Sequence, residues 1–341
     1  MLSAESAGHL RDRLRRLGLS RRAIDAAWPR WWSSAAGQSA SAQLELRFAL
    51  ARNLGLDPHS LIDEGADPRF LWAHTGRFKH LSAETQTEKE AIASFGRAVG
   101  IALSPGVTTP FTELLGRSAA ELRRAMLASS DSPFVRLLDL LSLCWSTGTP
   151  VIHLRVYPWP QKRMAAMSLR VSGRSIILLA RDSQVPAPIA FYVAHEIGHI
   201  ALGHLPQDDV LVDLAGTLGP QEDPEESEAD RYALELLTGN PDFRVESSTP
   251  LASASELIRT AQASAAQLGV EPGTLALCFG YSTGKWAIAN AAMQTIYTDP
   301  KPAWEEVNAV ARTSLAFAEL PDGAADFLDS VLGAVGDEQS R

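Results

Sequence analysis

Three histidines and a glutamate lie in the stretch FYVAHEIGHIALGHL, residues 191–205, among side chains that otherwise read as a buried helix. His195, Glu196 and His199 match the pattern H-E-x-x-H. Residues four apart on a helix are separated by about 40° around its axis, so both imidazoles leave from one face. That spacing lets two ring nitrogens meet one Zn2+ at about 2.0–2.1 Å. Glu196 is turned about 100° from His195. It is too displaced to be the natural third ligand, yet close enough to serve as general base toward a water at the metal. A plain helix surface could also carry two histidines. The neighbours Phe191, Val193, Ala194, Ile197, Ile200 and Leu202 are apolar nearly all round, however, and a buried His-Glu-His set without a metal or equivalent partners would be costly.

A catalytic zinc takes three protein ligands and keeps one position open. On an ideal helix His204 falls about 180° from His195, so it is expected on the opposite face, a bystander at the helix end. The stretch PEESEADRYALELL, residues 224–237, is the better source. Pro224 suits a first helical turn, and the acidic residues after it suit the positive end of the helix dipole. Ala229, Tyr232, Ala233, Leu236 and Leu237 define its apolar face; Glu225 and Glu226 border that face, whereas Glu228 points off it. Of the three, Glu226 alone has an acidic residue one turn later on the same side, Asp230. A carboxylate that orients a ligating histidine is a recurrent need of such sites. Glu226 is therefore the expected third ligand and Asp230 the orienting carboxylate, with Glu225 and Glu228 as substitutes.

The elements around these stretches change period along the chain. Residues 1–65 read as short helices, including SAQLELRFALARNLGLDPHSLID, whose apolar stripe stops at Gly55. Residues 66–130 read as a loop followed by a helical linker region, with a helix capped near Ser82. From residue 149 the pattern turns to strands: TPVIHLRVYP, RMAAMSLRV and SIILLARD, the last two joined by SGR as a hairpin. After the H-E-x-x-H helix come an Asp- and Gly-rich loop, the PEES helix and further helices to about residue 300; residues 301–341 read as a helical extension with a frayed tail. The expected fold is α+β and mostly helical, with a small three-stranded sheet packed on the H-E-x-x-H helix.

AHEIGHIALGH followed by EESEADRYALELL resembles the ImmA/IrrE family of zinc-dependent metallopeptidases. The resemblance covers roughly residues 130–240, and ELLTGN stands where the family usually reads LLMP. It implies a gluzincin-like metallopeptidase domain over 131–300, with His195, His199 and Glu226 on Zn2+ and Glu196 as general base. A donor to the oxyanion is implied as well, for which Tyr232, Tyr192 and His153 are all open. It further implies a regulatory protease that cleaves a helix-turn-helix repressor of the XRE type in a stress or mobile-element response.

Residues 1–65 themselves look like the end of an XRE domain, but a degenerate one. AAWPRWWSSAAG offers three tryptophans and one basic residue, Arg30, where a base-reading helix would present Arg, Gln, Asn or Ser. Protein contact or self-association is the expectation for this head, with DNA binding the other reading. In the latter the chain is a DNA-binding regulator whose metallopeptidase-like body is a sensor. Charge is consistent with either: residues 1–60 hold nine Arg, no Lys and five acids, while the whole chain carries −9. No apolar run approaches the roughly 18–20 residues that span a bilayer. Two cysteines in apolar surroundings, Cys144 and Cys278, read as reduced thiols of a cytoplasmic protein.

Overall fold

Two strands joined by a two-residue turn form the centre of the sheet. In this computed structural model, which describes residues 7–72, 77–78, 85–160, 164–205, 210–214, 223–245, 253–298 and 301–333, β3 (Met164–Val171) and β4 (Arg174–Leu179) pair antiparallel from Val171–Arg174 to Ala166–Leu179. Ser172 and Gly173 between them have φ of 52° and 80°, both positive, as a type I′ turn requires. β2 (Val151–His153) lies parallel to β4. Two strands beyond the expected three complete the sheet. β5 (Val210–Leu214) runs antiparallel along β3 and β1 (Arg77–Phe78) parallel to β5, giving the order β1-β5-β3-β4-β2. β5 lies in the segment read as an Asp- and Gly-rich loop. Its pairing satisfies backbone groups along an edge of β3 that would otherwise be open.

The helices are α1 (Ala7–Arg16), α2 (Arg21–Ala27), α3 (Ala40–Leu54), α4 (Pro58–Ile62), α5 (Gln86–Leu103), α6 (Ala119–Ser129) and α7 (Leu137–Ser146) before or within the early strands. After β4 follow α8 (Pro186–Leu202), α9 (Pro224–Thr238), α10 (Ala254–Leu268), α11 (Pro272–Thr283), α12 (Trp286–Ile296), α13 (Ala303–Ser314) and α14 (Ala324–Leu332). Successive strand residues face opposite sides, and the two faces of this sheet belong to different cores. Val151, Ala166, Ile177 and Leu179 pack with α8, α7 and α9. Ile152, Met167, Leu169, Ile176 and Leu178 pack with α5, the N-terminal helices and α14. The result is three layers, helix on sheet on helix.

This packing joins what the sequence divides. α5 falls in the region read as a linker, yet Met167 and Leu169 lie directly against its Gly96 and Gly100. A helix that covers a sheet and one that bridges two units carry the same apolar stripe, so periodicity alone could not separate them. Its cap is a reciprocal pair between Thr85 and Glu88; Ser82 lies outside the described residues. α13 likewise belongs to the body: the Asn308 side chain accepts the His153 N–H at 2.8 Å and donates to the carbonyls of His153 and Leu332, each at 2.8 Å. The frayed tail expected at the end, from residue 334, is outside the described residues.

At the N-terminal end, a three-residue 3₁₀ turn, Ala36–Gln38, stands between α2 and α3. Arg30, the basic residue of that region, pairs with Asp326 and Asp329 of α14 at 3.0 Å each. Arg11 lies over the Trp28 ring at 4.0 Å, and Trp28, Trp32 and Trp31 meet edge to face.

Before α11, Glu271 is buried, accepting the Tyr297 hydroxyl at 2.9 Å and the Thr274 hydroxyl at 3.2 Å. Burial pushes its pKa up to about 7, with Glu306 adding to the rise while Tyr297, Thr274 and Arg136 oppose it. Between its ordinary 4.5 and about 7 the folded form keeps a proton that the unfolded chain has released. The linked stability is therefore complete below the ordinary pKa and is lost as pH rises through the folded pKa, by about 3 kcal/mol. A Glu271→Gln variant should gain on the wild type over this window. Denaturant midpoints at pH 5 and pH 8 check it; an equal difference at the two values would contradict the assignment.

Candidate metal centre

α8 and α9 approach closely because Gly198, the fourth residue of the H-E-x-x-H motif, has no side chain. A Cβ there would stand 3.2 Å from the Ala229 carbonyl oxygen and 3.2 Å from Tyr232 Cβ. This contact lays the acidic start of α9 along the histidine face of α8. α9 itself begins as expected from its residues, with Asp223 accepting the Glu225 N–H at 3.0 Å and Pro224 in the first turn.

His195, His199 and Glu226 converge across this junction, all three buried. The Nε2 atoms of the two histidines are 2.9 Å apart. Glu226 reaches both: Oε2 lies 3.4 Å from His195 Nε2 and Oε1 lies 3.4 Å from His199 Nε2. Edges of a tetrahedron with bonds near 2.0–2.1 Å are about 3.3–3.4 Å, so the carboxylate distances suit a shared ion and the His–His distance is somewhat shorter.

Each histidine has an outer partner on its other nitrogen. His195 Nδ1 donates to Asp230 Oδ1 at 2.9 Å, a contact of the kind an orienting carboxylate makes. His199 Nδ1 lies 3.0 Å from Nδ1 of His204, whose Nε2 lies 3.1 Å from Glu228 Oε2. His204 is thus no bystander. The opposite-face expectation assumed an ideal helix through Gly203, but Gly203 adopts φ of 78° and ends α8. His204 N–H then bonds back to the His199 carbonyl at 2.9 Å and Gly203 N–H to that of Ile200 at 3.3 Å. In this Schellman termination the residue after the left-handed glycine falls against the last turn. Here that contact is ring to ring, with His199 and His204 centroids 5.1 Å apart. Glu228 does point off the apolar face, and there it meets His204. Glu225 is half-buried in the first turn.

The donor chemistry fits a divalent cation. A carboxylate can only accept, so Asp230 places a proton on His195 Nδ1, and Glu228 places one on His204 Nε2. With that proton on Nε2, His204 can accept through Nδ1, and the His199 proton then belongs on Nδ1 as well. The two Nε2 atoms therefore offer lone pairs to each other and to Glu226. Such a convergence in a buried place calls for a cation between them. Two imidazoles and a carboxylate form a donor set that zinc accepts.

Glu196 is completely buried and faces the sheet, where the Ser168 hydroxyl of β3 donates to its Oε2. Sequence reading did not single out Ser168; a polar residue at an inward position of a strand that is otherwise buried was the available signal. Tyr232 and His153, two of the possible oxyanion donors, both bond backbone carbonyls. The Tyr232 hydroxyl donates to the Arg117 carbonyl at 2.8 Å, and burial raises its pKa. His153 Nε2 bonds the Arg181 carbonyl at 2.9 Å. Tyr192 is half-buried on α8, one turn before His195. Another tyrosine joins this side. The Tyr281 ring lies 6.0 Å from that of Phe191, itself 6.3 Å from the His195 ring. Burial raises the pKa of Tyr281 most, and the nearby Tyr192 and Asp230 raise it further. Tyr281 lies far along the chain from both motifs, and no local pattern marks it.

Comparison with protein-family models, with curated proteins and with solved structures finds no match for this chain.

Proposed function

We propose that this chain is a zinc-dependent endopeptidase, a regulatory protease acting on a helix-turn-helix repressor of the XRE type. The observation that carries the reading is the buried convergence of His195, His199 and Glu226, with Glu196 on the same helix. A site that used zinc for stability alone would have no need of Glu196. Zinc bound here would supply Lewis-acid polarisation of the scissile carbonyl and a water acidified toward neutrality. Glu196 takes the proton from the attacking water and returns it to the leaving amine. Asp230 keeps the His195 imidazole in its metal-facing tautomer. Ser168 fixes one oxygen of the Glu196 carboxylate.

The likeness of AHEIGHIALGH and EESEADRYALELL to the ImmA/IrrE family supports the repressor as substrate class. The pairing of Arg30 with α14 supports protein contact over DNA reading by residues 1–65. Both cysteines are free and buried, in keeping with a cytoplasmic protein, and no helix among the described residues is long and apolar enough to cross a membrane.

Co-expression with a helix-turn-helix repressor of the XRE type tests the proposal. A discrete cleavage product is expected, and an intact repressor beside zinc-loaded protein would count against it. A subtler expectation concerns Ser168→Ala. Turnover should drop about tenfold, a loss of roughly 1.4 kcal/mol in transition-state stabilisation, with zinc affinity unchanged. Single-turnover cleavage alongside a zinc titration measures both; a change confined to zinc affinity would refute this role for Ser168.

A further inference from the structure

Of the two ligating histidines, His195 is oriented by a carboxylate directly, whereas His199 is oriented by another histidine. We propose that His204 and Glu228 are positioning residues of the metal site. Glu228 holds His204 in its Nε2–H tautomer, His204 Nδ1 accepts the Nδ1 proton of His199, and the His199 Nε2 lone pair is thereby aimed at the centre of the triad. This rests on the metal-binding part of the reading above.

Three independent features of the fold build this chain. The left-handed Gly203 turns the backbone so that His204 returns over the last turn of α8. His204 is 8% exposed, so its ring is shielded from water where it meets His199. Glu228 is on α9, two residues from the ligand Glu226, so the same helix that supplies the third ligand also supplies the end of the relay. Two residues along a helix are turned about 200° apart. Glu226 therefore enters the triad while Glu228 reaches round its outer side to His204.

The two members should not weigh equally. The Glu228 side chain is 61% exposed, so water competes for its hydrogen bond with His204. The His199–His204 bond is buried, and removing its acceptor would leave the His199 proton without that partner. Loss of an outer partner of a ligating histidine typically lowers metal affinity about 10- to 100-fold. His204 should show that full effect and Glu228 only a few-fold effect.

The experiment titrates Zn2+ into the metal-free full chain against a competing chelator. His204→Leu is expected to weaken binding about 10- to 100-fold. His204→Asn should restore most of it, because the amide oxygen can accept at the place of Nδ1. Glu228→Ala, which removes the acceptor altogether, should weaken binding a few-fold in the wild-type background and not at all beside His204→Leu, since its effect travels through His204. The Co2+-substituted protein adds a spectroscopic readout: its visible bands should shift in His204→Leu and return in His204→Asn. Equal affinity of His204→Leu and wild type would overturn the proposal, as would an undiminished Glu228→Ala effect in the double variant. Should His204→Leu fail to fold, Glu228→Ala, at the exposed end, decides alone: unchanged affinity refutes the relay. A wild type that takes up no Zn2+ would instead sink the metal reading itself.

Discussion

Replacing Glu196 with Gln should abolish most cleavage while leaving zinc in place. Glu196 is on the ligand helix but its carboxylate points to β3, where Ser168 holds it, and the three metal-facing atoms belong to other residues. Gln keeps the shape and still offers an oxygen to the Ser168 hydroxyl. It cannot take a proton from water. General-base assistance of this kind contributes about 10²- to 10⁴-fold, so cleavage of the repressor should slow by that factor. The zinc content of the purified variant, measured by mass spectrometry, should match the wild type. Comparable cleavage by the two proteins would remove Glu196 from the chemistry. Loss of zinc in the variant would show that Glu196 serves the site as a ligand.

Glu226→Ala should have the opposite profile, with zinc lost first and activity lost as a consequence. The carboxylate is buried and faces both histidine Nε2 atoms, so no surface residue can replace it. Affinity should fall by more than the about 10²-fold that outer partners alone are worth. Stability offers a second measure. A ligand at 100 times its Kd stabilises the folded state by about 2.7 kcal/mol, which for a chain of this length raises Tm by about 4 °C. A chelator should therefore lower the melting temperature of the zinc-loaded wild type and leave that of Glu226→Ala unmoved. An equal chelator effect on both would place the metal elsewhere.

Much of this centre is legible from local periodicity. The four-residue spacing of His195 and His199, and that of Glu226 and Asp230, fixes which groups share a helix face before any packing is known. The hairpin at Ser172 and Gly173 is legible for a similar reason, since a short turn with glycine dictates its own pairing. What local pattern does not carry is the partner of each face. α5 has the stripe of any amphipathic helix, and nothing in it says that Met167 and Leu169 will be its neighbours. β5 is five residues long, and its strand state depends on β3 lying beside it. His204 was misplaced by extending ideal geometry one residue too far. The glycine that stops α8 was visible, but the consequence of its left-handed φ for the next side chain belongs to three dimensions. Ser168 meets Glu196, and Tyr281 meets Phe191, only through tertiary packing.

The far face of the sheet has a practical consequence for anyone handling this protein. Ile152, Met167, Leu169, Ile176 and Leu178 are covered by α5, by helices from the first 62 residues and by α14, although both sequence motifs of the metal centre lie in 131–300. A fragment cut to that stretch would carry both motifs and yet present a bare apolar sheet to water. Such a fragment should be recovered as aggregate, and its silence in an assay would say nothing about catalysis.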